Sequence, residues 1–174
     1  MTDINFTQET TVSNGKPNPC DVTSFIELLF FAYRDFVSDP DVILQEYGFG
    51  RAHHRVVHFI ARNPGISVAE LLDILQITKQ SLARVLKQLI ETGFIRQEQG
   101  AQDRRQRLLF TTQKGEQLFD RLMEPQSRRI KQALHQMNAD EQMIAERFLS
   151  LLINEDEREL AKRMSKKIKS KVSL

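Results

Sequence analysis

Gln80, Arg84 and Lys87 follow one another at intervals of four and three residues, which an α-helix brings to one side. Leu82, Val85, Leu86, Leu89 and Ile90 stand at i, i+3, i+4, i+7 and i+8 and fill the other side with apolar groups. An amide, a guanidinium and an ammonium on one helical face match what the DNA major groove offers. Arg84 can pair in bidentate fashion with guanine, Gln80 with adenine, and Lys87 with phosphate. Thr78, Lys79 and Ser81 stand where the N-terminus of that helix would hold a backbone phosphate through N–H groups and hydroxyls. Downstream, Asp103, Arg104 and Arg105 form a charged turn. Its arginines can reach the minor groove or phosphate, with Asp103 orienting one of them by a salt bridge. A cationic helix face is more commonly just a solvated surface. The succession of a capped helix pair, this face and the arginine turn is what points to nucleic acid.

Other reactive groups are fewer. His54 and His58 lie four residues apart with His53 adjacent, a spacing that suits two metal ligands. No third ligand and no His-Glu-x-x-His pattern accompanies them, so neither a metal nor a cofactor is expected. The histidines are expected to line a groove at the edge of the core, with Arg51, His54 and His58 as the residues an effector would meet. Cys20 is the only cysteine, so no intrachain disulfide can form. With no basic or histidine partner nearby, it reads as an ordinary thiol rather than a redox switch. The absence of a Gly-rich phosphate loop, a nucleophile elbow or a Cys/His constellation argues against an enzyme. The basic C-terminal segment, with Lys162, Arg163, Lys166, Lys167, Lys169 and Lys171, reads as a solvated helix end. A supplementary phosphate contact is its functional alternative.

The elements that must position these groups follow from pattern. The chain has 174 residues, 40% hydrophobic and 28% charged, a composition for one domain around a single core. Its net charge of +2 is too small to imply a nucleic-acid partner in bulk. Between Thr78 and Thr112, however, seven basic residues stand against three acidic ones, a larger excess than that of the whole chain. Residues 1–20 are polar, contain Pro and Gly, and are expected to form a disordered tail. No signal peptide and no apolar run near the roughly 20 residues of a membrane span is present, so a cytoplasmic protein is expected.

"TSFIELLFFAYRDFV", Thr23 to Val37, is apolar nearly all round and reads as a helix covered on several sides, one of them by a subunit partner. "SDPD" should end it. "RAHHRVVHFIARN" is a second helix, stopped by "NPG", and Ser67 with Glu70 forms a capping box that opens "VAELLDIL". Thr78 is the N-cap of the cationic helix, which should run to about Thr92 and stop at Gly93. "FIRQEQ" and "RLLFTT" have strand propensity, and Gly100 supplies a permissive backbone to the turn between them. Beyond Thr112 a long helix is expected, with a possible kink at Pro125. Asn138 and Glu141 cap another, whose apolar line continues through Leu160, Met164 and Ile168.

From about Ser24 to Leu152 the chain resembles the MarR family of dimeric winged-helix regulators. The family's wing signature, Asp-x-Arg, then a Thr that opens the next helix, then a Gly, stands in "DRRQRLLFTTQKG" as Asp103, Arg105, Thr112 and Gly115. "FFAYRDF" and the block from Gly50 to Gly93 are similar to the family's PetP-type branch. Thr111 departs from the aliphatic residue usual before the helix-opening Thr. In the family's hydroperoxide sensors the reactive cysteine sits inside the first helix, at the place held here by Leu29 and not at Cys20.

The resemblance implies a homodimer joined by its terminal helices, reading a pseudo-palindromic double-stranded DNA site with half-sites about 34–36 Å apart. The expected fold is mainly α: a winged helix-turn-helix with a small β-hairpin wing at about 51–115, inside a single domain spanning 21–174. Dimerisation helices are expected at about 21–47 and 116–168. The expected function is a sequence-specific transcriptional regulator, a dimeric repressor open to regulation by a small-molecule effector of unknown identity, with no membrane partner. The alternative is a winged-helix adaptor that uses the same surface for an acidic protein partner.

Overall fold

A computed structural model describes residues 21–100, 103 and 105–166. The first helix opens at Asp21, whose carboxylate accepts the Thr23 N–H at 3.0 Å. This helix, α1, runs from Val22 to Gln45 and does not break at "SDPD" as expected. Pro40 lies buried inside it. Proline has no N–H to give the Phe36 carbonyl one turn earlier; Gln126 Nε2 donates to that carbonyl instead, at 3.4 Å. A tertiary contact thus supplies the donor that the local sequence lacks.

The remaining elements are α2 (Arg51–Arg62), β1 (Ile66–Ser67), α3 (Val68–Leu75), α4 (Lys79–Glu91), β2 (Ile95–Gln99), β3 (Arg107–Thr111), α5 (Gln113–Leu134), α6 (Ala139–Leu152) and α7 (Glu155–Lys166). Capping sets most of the boundaries. Ser67 and Glu70 exchange hydrogen bonds at the start of α3, and Asn138 and Glu141 do so at the start of α6. Gly93, at φ +76°, follows α4 in the left-handed conformation that glycine adopts without steric cost. α5 is one helix through Pro125. The apolar line expected to run on from α6 is instead divided at Ile153, whose extended backbone separates α6 from α7. Ile168 lies outside the described residues.

The sheet holds one strand more than the expected hairpin. β3 is central, pairing antiparallel with β2 through Gln97 opposite Leu109 and with the two-residue β1 through Ile66 opposite Leu109. Gly100, at the end of the hairpin, is needed for room rather than for backbone freedom. It is not at positive φ, and a Cβ there would lie 2.8 Å from the Asp103 carbonyl oxygen.

One core joins these parts. Val56, Val57 and Ile60 of α2 meet Leu71 and Leu75 of α3, Leu82 and Leu89 of α4, Leu109 of β3, and Leu118 and Leu122 of α5. The N-terminal half of α1 and all of α6 stay outside it: Leu28, Phe30, Phe31, Ile144, Leu149 and Leu151 are exposed, and α6 has no buried residue. Phe25 and Phe148 touch at 5.6 Å between ring centroids and help line an apolar cleft of about 690 Å³ between the two helices.

Candidate nucleic-acid interface

α4 divides as its sequence requires. Leu82, Val85, Leu86 and Leu89 are buried and Ile90 is half-buried, whereas Thr78, Lys79, Gln80, Ser81, Arg84 and Lys87 are all exposed. The N-cap is formed by Thr78, whose Oγ1 accepts the Ser81 N–H at 3.1 Å and donates to Ser81 Oγ at 2.9 Å. Both hydroxyls are therefore engaged with each other, and the first-turn amides of Lys79 and Gln80 remain outside the helical ladder. Lys87 approaches Glu91 at 3.8 Å, a solvent-exposed pair of little energetic weight.

The turn before α4 has one feature the sequence did not announce. Gln76 ends α3 in the left-handed conformation, at φ 49°, and its Nε2 donates to the Asp73 carbonyl at 2.6 Å. A non-glycine residue in that region costs about 1–2 kcal/mol, and the side-chain bond offsets part of it. The sharp turn brings α4 across α2.

At the wing, Asp103 and Arg105 meet in a way other than expected. Asp103 Oδ1 accepts the Arg105 backbone N–H at 2.8 Å, so the carboxylate shapes the turn and leaves the Arg105 guanidinium exposed. Gln106 N–H donates to the Asp103 carbonyl at 3.0 Å and Gly100 N–H to the Gln106 carbonyl at 3.1 Å, which closes the loop. Arg104 lies outside the described residues, as do Cys20 and Lys167, Lys169 and Lys171. Thr111, the family departure, keeps its place in β3 and directs Oγ1 to Glu116 Oε1 at 3.4 Å.

Three residues to which sequence reading gave no part in this surface support it. Arg96 of β2 lies 4.4 Å from the Phe110 ring centroid and pairs with Glu98. Lys114 donates to the Thr92 carbonyl at 2.9 Å and stands 4.2 Å above the Phe94 ring. His53 bonds to Gln88 of α4 at 2.8 Å; its position three residues after Gly50, the N-cap of α2, was the available signal.

Arg51, His54 and His58 lie along one side of α2 but are engaged differently. Arg51 is committed to Asp41, with bonds of 2.9 and 2.7 Å that raise its pKa, and its guanidinium lies 5.7 Å from the Tyr33 ring. His54 is held below the usual histidine range by burial, an effect that Asp41 partly opposes. His58 is pushed down to about 4 by burial, with His54 and Arg62 adding to the effect. Only His58 of the three lines a cavity of about 360 Å³, together with Phe59, Arg62, Ile74, Leu160 and Met164. Among the described residues no cluster of three or more metal-binding side chains occurs, and no helix is long and apolar enough to cross a membrane.

Comparison with known proteins places this geometry. Residues 47–106 match the family model described as MarR family. The HTH-type transcriptional regulator PetP of Rhodobacter capsulatus is 49% identical over 108 residues, which cover 62% of this chain and 65% of that protein, just under two thirds of its length. The transcriptional regulator HosA of Escherichia coli is 27% identical over 115 residues, 66% of this chain and 80% of that one. Among solved structures, Streptococcus pneumoniae FabT in complex with DNA superposes with a TM-score of 0.66 at 19% identity, covering 76% of this chain and 94% of that one. MarR itself superposes with a TM-score of 0.59 at 24% identity, over 87% of this chain and 97% of that one. The structural likeness establishes the winged-helix fold. The matched family model, over residues 47–106, and the PetP likeness make this part of the chain similar to MarR-family regulators.

Proposed function

We propose that the protein is a sequence-specific DNA-binding transcriptional regulator that acts as a homodimer and a repressor. The observation that carries this reading is α4 itself: its apolar side packs against the core, while Gln80, Arg84 and Lys87 stand exposed on the other side. Arg84 and Gln80 read base edges, Lys87 and the α4 N-terminus grip phosphate, and Arg104 and Arg105 work from the wing. The DNA-bound fold neighbour and the transcriptional regulators similar in sequence support the same role. In this reading the winged unit spans about residues 51–115, and the helices on either side join two copies. The exposed apolar faces of α1 and α6 favour that dimer, because Phe30 is 69% and Ile144 66% exposed in the single chain. Should a small molecule regulate it, the cavity at His58 has room that the Arg51–Asp41 pair lacks.

The test is fluorescence anisotropy on a duplex enriched from a random pool by the protein itself, beside a scrambled duplex, across a salt series. A preference of about 10³-fold or more for the enriched duplex is expected. Arg84→Ala should cost about 1–3 kcal/mol and relax the sequence preference, whereas Lys87→Ala should lower the salt slope by about one. Failure to bind any duplex at low salt overturns the reading. Phe30→Glu should give a monomer by analytical ultracentrifugation and weaken binding to the enriched duplex by about 10²-fold or more, since two linked half-site contacts become one.

A further inference from the structure

His53 lies at the meeting point of two helices and two kinds of contact. Its Nδ1 accepts the Gly50 backbone N–H at 3.1 Å, and its Nε2 lies 2.8 Å from Gln88 Oε1 on α4. A backbone N–H can only donate, so Nδ1 is unprotonated and the neutral ring carries its proton on Nε2, the form that donates to Gln88. The imidazole also stacks on Phe49, 4.6 Å between centroids and 3° from parallel. Phe49 packs edge-on against Phe94 at 5.2 Å, and Tyr47, beside both rings, is bonded by Arg121 of α5. Gln88 is one turn beyond Arg84 and next to Lys87. The ring is therefore fixed from three directions, and it holds α4 at a point adjoining the exposed side chains.

We propose that His53 is a positioning residue for the recognition helix, setting the rotation of α4 through Gln88 so that Arg84 and Gln80 meet base edges in register. The inference rests on the DNA-binding reading. A polar link at this point does what apolar packing does not. The face of Leu82, Val85, Leu86 and Leu89 tolerates small rotations of α4, whereas a hydrogen bond of defined direction does not.

The test separates the two ends of the ring. His53→Asn keeps an acceptor at the Nδ1 position, and so keeps the Gly50 contact, but is too short to reach Gln88. His53→Gln extends a donor amide to the Nε2 position. Using the duplex enriched by the wild-type protein, His53→Asn is expected to lower the enriched-to-scrambled affinity ratio about 5- to 10-fold, the worth of about one hydrogen bond. His53→Gln should restore the ratio to within about twofold. Gln88→Leu should match His53→Asn, and the double variant should lose nothing further. Wild-type-like discrimination by His53→Asn, or equal losses in the Asn and Gln variants, overturns the proposal.

A readout without DNA stands beside this one. Imidazole ¹⁵N spectra should show Nε2 protonated and Nδ1 bare, and amide exchange in α4 should quicken in His53→Asn and not in His53→Gln. If the wild-type protein enriches no sequence, the DNA reading fails. The ring tautomer and the exchange of α4 then still decide whether His53 holds the helix.

Discussion

Replacing Gly115 by alanine tests how the wing is joined to the long helix behind it. Gly115 is buried in the first turn of α5, and a Cβ built there would lie 2.1 Å from the Phe94 carbonyl oxygen and 3.1 Å from its carbon. Both are backbone atoms, so no change of rotamer relieves the overlap. Phe94 cannot withdraw freely either. Its carbonyl accepts the Thr112 N–H at 3.0 Å and lies 3.2 Å from Thr112 Oγ1, which also donates to the Gly93 carbonyl at 2.7 Å and accepts the Gly115 N–H at 3.1 Å. Thr112 is thus at once the N-cap of α5 and the clasp on the end of α4. Overpacking of a core costs about 1–3 kcal/mol, and each hydrogen bond loosened to make room adds about 1 kcal/mol. A loss of about 3–5 kcal/mol is expected, which at about 2–4 °C per kcal/mol lowers Tm by roughly 6–20 °C.

Gly93→Ala is the matched control. Gly93 has φ +76° and nothing within 4 Å of a Cβ, so its substitution carries only the left-handed backbone cost of about 1–2 kcal/mol. Guanidinium unfolding at fixed protein concentration, with the slope m compared between variants, gives the two values. If Gly115→Ala is no less stable than Gly93→Ala, the close approach of α5 to Phe94 is not what the glycine is for.

Three further outcomes follow from particular contacts. Gln126→Leu should cost about 1 kcal/mol or more by chemical denaturation, because it leaves the Phe36 carbonyl above Pro40 without a donor; adding Pro40→Ala, which returns the missing N–H, should recover much of that loss. Thr78→Ala should remove about 0.5–2 kcal/mol with the N-cap of α4, and amide exchange should localise the fraying to the first turn of that helix. His58 titrates at about 4 in the folded chain against an ordinary 6.5, so between those values the unfolded chain binds more protons. Its contribution is therefore full above about pH 6.5 and is lost as the pH falls toward 4, by at most about 3 kcal/mol. His58→Phe, which keeps an aromatic ring against Phe59 and Phe119, should flatten that acid limb of the stability profile.

What the sequence discloses and what it withholds divide along a physical line. Thr78, Ser67 with Glu70, and Asn138 with Glu141 were legible because a cap is closed within three residues, by a side chain and an amide that sequence alone places together. The two faces of α4 were legible for the same reason: a period of 3.6 residues needs no knowledge of the rest of the fold. The groups that aim and brace this helix come from elsewhere. His53 reaches Gln88 across 35 positions of chain, Lys114 reaches Thr92 across 22, and Gln126 rescues the Pro40 interruption of α1 from 90 positions away at Phe36. Local pattern carries no trace of such pairings, so "SDPD" read as a helix end, and both the two-residue β1 and the pairing of Arg51 with Asp41 went unseen. The wing signature joins the two kinds. Asp103, Arg105, Thr112 and Gly115 could be matched as letters, yet their physical basis emerges only in three dimensions. Asp103 folds the turn through a backbone N–H, Thr112 fastens α5 to the end of α4, and Gly115 lets the two backbones meet. Asp103 and Arg105 are both exposed, but Asp103 commits a carboxylate oxygen to the turn. The Arg105 guanidinium has no such task among the described residues, so three of the signature residues build the wing and the fourth extends from it.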